Sequence, residues 1–125
     1  MAKTILIVDD DPDLVLATRL VLESAGYEVV EAGTGEEGLA QMRANKPDLV
    51  LMDVMMANPL DGYYTTQEIA DDPDLSRTPI LMVSSITNSD YAERFPTDQH
   101  LSIREFVSKP IEPKELLKKV QRYAR

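Results

Sequence analysis

Short apolar runs without polar alternation recur along this chain, and stretches of helical periodicity separate them. Ile5-Leu6-Ile7-Val8, Leu49-Val50-Leu51-Met52 and Ile80-Leu81-Met82-Val83 are the clearest. A strand that is apolar on both sides must be covered on both sides. Alternation of such strands with amphipathic helices gives βα units and a parallel sheet, so the fold class is α/β. Five strands and about five helices are expected, with right-handed crossovers placing helices on both faces.

The first strand reads from Thr4 to Asp9. Asp11 is the expected N-cap of the helix that follows, with Pro12 in its first turn. Leu14, Ala17, Val21, Leu22 and Ala25 are expected to form its apolar stripe, and Gly26 its stop. Tyr27 to Ala32 is a second strand. Thr34-Gly35-Glu36-Glu37 is a capping box, and the helix behind it buries Leu39 and Met42 and ends near Lys46-Pro47. Asp48 to Asp53 is the third strand. A third helix begins near Gly62 and fades in Asp71-Asp72-Pro73. Ile80 to Ser84 and about Arg104 to Val107 are the last strands. A final helix from Pro113 carries Leu116, Leu117 and Val120 inward, with Lys118, Lys119 and Arg122 complementing its dipole. The stretch 88–102 has no clear pattern, and Pro96 interrupts its one helical segment.

The chain's 125 residues suit one domain. Its net charge of −9 disfavours nucleic acid and anionic lipid and suits basic protein partners. Absence of cysteine removes disulfide and thiol chemistry and fits a reducing compartment. No apolar stretch spans a bilayer and no signal-peptide pattern opens the chain, so a cytoplasmic location is expected.

Charged residues punctuate the strand ends. Asp9-Asp10 closes the first apolar run, Asp53 closes the third strand, Ser84 ends the fourth, and Lys109-Pro110 follows the fifth. In open α/β sheets ligands bind at the carboxyl ends of strands, at the topological switch point. Carboxylates converging there repel one another; a hard divalent cation and a lysine relieve that repulsion.

These residues resemble the receiver domain of bacterial two-component response regulators. The likeness rests on Ile-Leu-Ile-Val-Asp-Asp at the start and Asp-Leu-Val-Leu-Met-Asp-Val-Met-Met in the middle. Pro-Ile-Leu-Met-Val-Ser-Ser and Phe-Val-Ser-Lys-Pro complete it, in the family's order and near its spacing. It covers essentially the whole chain, so residues 1–125 are expected to be one receiver domain. It implies a flavodoxin-like (βα)5 sheet of strand order 2-1-3-4-5. It also implies that Asp53 accepts a phosphoryl group from a histidine kinase or phosphotransfer protein. Asp9, Asp10, Asp53 and the backbone carbonyl of Met55 would hold Mg²⁺, with Asp10 the favoured direct ligand. Ser84 and Lys109 would bind phosphoryl oxygens, Lys109-Pro110 is a candidate cis peptide, and Ser84 and Phe106 would form the switch. Output would be a changed protein-binding face on the fourth and fifth strands and helices, engaging a target or effector and compatible with a phosphorylation-dependent homodimer. The implied role is signalling, with self-catalysed phosphorylation and dephosphorylation only. No DNA-binding segment follows the last helix, so the chain is expected either to stand alone or to be cut from a longer one.

Two departures stand out. Ala57 occupies a place where the family commonly has proline, and Pro59 and Gly62 come late, as if one residue were inserted. The usual alanine-glycine-rich lead into the fifth strand is replaced by Phe95-Pro96-Thr97-Asp98-Gln99-His100. A receiver fold that signals without phosphorylation is therefore kept as an alternative. A Mg²⁺-dependent aspartyl phosphohydrolase is weaker, because Met55 stands where a second aspartate is needed. A flavodoxin-like nucleotide module is weaker still, because Asp9-Asp10-Asp11 would repel its phosphate. Read singly, the aspartates are a solvated turn and cap, Ser84 a strand-end hydroxyl, and Asp71, Asp72 and Asp74 a solvated loop; only the constellation favours a site.

Overall fold

In the computed structural model the first apolar run is the strand Thr4–Val8 (β1), and the chain turns at once into the helix Pro12–Ser24 (α1). The structure describes residues 2–53, 61–84, 103–108 and 111–124; of 61–63, 84, 103, 106 and 108 it describes the backbone. The remaining elements are β2 (Glu28–Ala32), α2 (Gly35–Asn45), β3 (Leu49–Asp53), α3 (Asp61–Asp71), β4 (Ile80–Ser84), β5 (Ile103–Ser108) and α4 (Pro113–Tyr123). The expected helix within 88–102 lies outside the described residues, as do Met55, Ala57, Pro59 and Lys109.

Caps fix where the helices begin. Asp11 Oδ1 accepts from the N–H groups of Asp13 (3.0 Å) and Leu14 (3.2 Å), so α1 starts where a side chain satisfies its orphan donors. Gly26, at φ +95°, reverses the chain after α1, and the Tyr27 N–H bonds back to the Leu22 carbonyl at 3.1 Å. The capping box of α2 forms with one change. Thr34 Oγ1 accepts from the Glu37 N–H at 3.1 Å, but the Glu37 carboxylate reaches Gly33 N–H (3.0 Å), one residue before the cap.

All strand pairs are parallel and the order is β2-β1-β3-β4-β5. Odd and even strand positions feed separate cores. Ile5, Ile7, Leu49, Leu51, Leu81, Val83 and Val107 pack with Val15 and Leu22 of α1 and Leu116 and Val120 of α4. Leu6, Val8, Val50, Met52, Ile80 and Met82 pack with Leu39 and Met42 of α2 and Ile69 of α3. Each fully buried aliphatic side chain contributes roughly 1.5–3 kcal/mol, which is why polar alternation is absent from the central strands.

The stripe of α1 differs from the sequence reading. Val15, Thr18 and Leu22 are buried, Leu14 and Val21 are half-buried, and Ala17 and Ala25 are exposed. This helix carries apolar residues on most sides, so its periodicity leaves the rotational phase open; the Asp11 cap and the β1 exit fix it. In α4, Leu116 and Val120 are buried as expected, and Leu117 packs half-buried at the edge of the same core.

Candidate metal centre

Strand register builds the site. Val8 of β1 pairs with Met52 of β3, so the next residues, Asp9 and Asp53, leave adjacent strands side by side. Asp53 pairs with Val83, which places Ser84 one step further along β4; Ser84 in turn pairs with Ser108, the residue before Lys109. Phe106 stands opposite Met82, at the register position that faces the α2–α3 core in the neighbouring strands.

Carboxylate oxygens of Asp9, Asp10 and Asp53 lie within 4.8 Å of one another, the one such acidic group among the described residues. Asp9 is 6% exposed and Asp53 4%, whereas Asp10 is exposed to solvent. Two of the three therefore form a buried floor and the third a solvent-side wall. The Asp9 backbone is fixed by its N–H to the Ala32 carbonyl (3.0 Å), and its Oδ1 accepts from Asp11 N–H (2.9 Å). One turn thus both caps α1 and orients an acid of the cluster.

Repulsion between two carboxylates at this spacing is roughly 3 kcal/mol at an effective dielectric of about 20. An all-oxygen set with one open, wet side matches Mg²⁺, which keeps several waters and takes few protein carboxylates. The donor set therefore fits the ion that the sequence implies. Met55 and Lys109 lie outside the described residues; for Ser84 and Phe106 the backbone places each on its strand.

Two features escaped the sequence reading. Ala32 O anchors Asp9 through a backbone bond, for which no side-chain signal exists. Glu105 joins Lys119 (3.8 Å), Arg122 (2.9 Å) and the Tyr123 hydroxyl (2.7 Å) on the far side of the sheet from α2 and α3. Its signal was parity: Glu105 pairs with Leu81 and alternates with Val107, on the face that α4 covers.

Comparison with known proteins gives a consistent picture. The model of the Response regulator receiver domain matches residues 5–121. Protein PilH of Pseudomonas aeruginosa is 34% identical over 116 residues, covering 93% of this chain and 93% of that protein. A ycf27 protein of Cyanophora paradoxa is 42% identical over 116 residues, 91% of this chain but 45% of its own length. The chain thus spans less than half of that longer relative. The solved structure of chemotaxis protein CheY4 of Vibrio cholerae superposes with a TM-score of 0.86 at 28% identity, covering 98% of this chain and 99% of that one.

Proposed function

The chain belongs to the response regulator receiver domain family, and from that premise we propose that Asp53 is a phosphoacceptor whose modification switches a protein-binding face. The observation that carries this reading is the gathering of Asp9, Asp10 and Asp53 at the carboxyl ends of β1 and β3. The Asp53 carboxylate attacks the phosphorus of a phosphohistidine on a kinase or phosphotransfer protein. A P–O bond forms, the P–N bond breaks, and the imidazole leaves. Hydrolysis by water later returns Asp53 to a carboxylate.

Mg²⁺ held by Asp9, Asp10, Asp53 and the Met55 carbonyl would neutralise charge that develops on the phosphoryl oxygens. Asp10, on the exposed side, is the favoured direct ligand. Buried Asp9 orients the turn, and Ser84 and Lys109 receive the phosphoryl oxygens. Residues 1–125 act as one receiver domain in the cytoplasm. Among the described residues no helix is long and apolar enough to cross a membrane. The domain is a signalling module; its self-catalysed phosphorylation and dephosphorylation are proposed as its only chemistry.

Added negative charge and acceptor oxygens at Asp53 favour the arrangement in which Ser84 approaches the phosphoryl group and Phe106 repositions. Output to a protein target, an effector domain or a second copy then follows through the β4–β5–α4 side.

Intact mass after incubation with acetyl phosphate and MgCl₂ tests the reading. One added phosphoryl group is expected, lost with EDTA and absent from Asp53→Ala. Normal uptake by Asp53→Ala would show that another residue is the acceptor.

A further inference from the structure

At the amino end of the sheet a cleft of about 390 Å³ opens between the end of α2 and the turn that follows α3. Arg43 and Lys46 line it from the α2 side, and Asp72 and Asp74 from the turn, with buried Leu75 behind them. Its charges are sorted by wall, cationic on one and anionic on the other. Its volume lies within the range of small-molecule sites, roughly 300–1,000 Å³.

Both walls are fixed before anything binds. The Asp72 carbonyl accepts from the N–H groups of Leu75 (3.0 Å) and Ser76 (2.9 Å), and Asp72 Oδ1 accepts from Asp74 N–H (2.9 Å). Arg43 reaches Asp72 Oδ2 at 3.3 Å and ties α2 to the turn. That pair leaves Lys46 and Asp74 over: among the described residues neither side chain has a hydrogen-bond or ion-pair partner, and no ion pair joins the two. Lys46 is also held in an uncommon backbone. As the C-cap of α2 it takes φ 45° and ψ 65°, the one non-glycine residue at positive φ among the described residues. Glycine or asparagine usually stands at such a cap. A lysine there costs backbone strain and puts a cationic side chain in the cleft wall, and strain of this kind collects where a side chain has a use.

We propose that this cleft binds a small zwitterion of the α-amino acid class, its carboxylate on Lys46 and its ammonium on Asp74. An α-amino acid carries both charges on one carbon's substituents, so a single molecule answers both side chains with charge-assisted hydrogen bonds. A simple anion or cation answers one and leaves the other. The length of β3, at roughly 3.3 Å per residue, separates the cleft from Asp53 at the opposite end of that strand. The site is therefore distinct from the acid cluster and stands apart from the phosphoacceptor reading.

The test titrates the whole chain with each of the twenty common α-amino acids while its backbone amide resonances are followed by NMR. Concentrations run to about 10 mM, where a millimolar site is nearly filled. At least one amino acid is expected to move the amides of Lys46 and of Asp72 to Ser76 along a saturable curve. Its deaminated acid and its decarboxylated amine serve as single-charge probes, and neither should do so. Two variants then remove one charge each. Lys46→Gly suits the positive φ, so its melting temperature should stand at or above the parent's. Asp74→Asn changes an exposed side chain that makes no hydrogen bond. Each is expected to weaken binding of that amino acid about tenfold or more, as loss of one charged hydrogen bond does. A panel in which no amino acid moves these amides overturns the proposal. Equal binding by the deaminated acid overturns it too, since the cleft would then be a simple anion site. So does parental affinity in either variant, because the charge removed would not have touched the ligand.

Discussion

Glu105 shows how much one buried-edge charge can organise. Hydrogen bonding from the Tyr123 hydroxyl, then attraction to Lys119 and Arg122, holds its carboxyl below the ordinary glutamate range. A folded-state pKa below the unfolded one stabilises the protein above the ordinary carboxylate range, and that contribution is lost as pH falls through the lowered value. The side chain is 27% exposed, so solvent screening keeps the effect to a few tenths up to about 1 kcal/mol. Glu105→Gln should therefore melt slightly below the parent at neutral pH, and the gap should close on acidification. A gap of constant size across an acid titration would assign it to packing instead. The two kinds of acid differ in legibility. Asp9 and Asp53 could be read because they end apolar runs, where the chain meets solvent at a strand's carboxyl end. Glu105 sits inside a short strand between Arg104 and Phe106, where a charge reads as an edge position until the partner helix is known.

At the scale of elements, strands were more legible than helix faces. A central parallel strand is apolar on both sides, so its identity does not depend on rotational phase. Helix α1 has leucine, valine and alanine on several sides, and the stripe set by periodicity fell about one position from the buried one. Close approach of helix to sheet was equally invisible. Gly38 of α2 lies where an added Cβ would meet Val8 Cγ2 at 2.9 Å and Cγ1 at 3.3 Å. A glycine-to-alanine change in a helix ordinarily gains about 0.5–1 kcal/mol. Here the methyl meets a β-branched side chain in a packed core, and overpacking costs about 1–3 kcal/mol. Gly38→Ala should thus lower the denaturation midpoint, and Val8→Ala should become less damaging in its presence than alone. Thermal or urea unfolding of the two single variants and the double variant checks both signs. A stabilised Gly38→Ala protein would mean that α2 can retreat from β1 without loss.

The molecule as a whole carries two electrostatic burdens, and they respond differently to ions. The overall charge of −9 is a diffuse self-repulsion that any salt screens within a Debye length of about 10 Å at 0.1 M. The Asp9, Asp10 and Asp53 cluster is a local repulsion that a seated cation relieves far better than a screening atmosphere does. The topology creates the second burden: β1 and β3 are neighbours in the sheet though 40 residues of chain, with two helices among them, separate the two strands. Sequence alone supplies the acids but not their spacing. MgCl₂ and NaCl at matched ionic strength separate the two effects. Both should raise the melting temperature, but MgCl₂ should raise it further, because a ligand that binds the folded state stabilises it by RT ln(1 + [L]/Kd). At one hundred times Kd that excess is about 2.7 kcal/mol, equivalent to several degrees for a domain of this size. Asp10→Asn should remove most of the excess and leave the NaCl response intact, since it changes the diffuse charge by only one. Indistinguishable responses to the two salts in the parent chain would mean that the three carboxylates, although close, do not form a divalent-cation site.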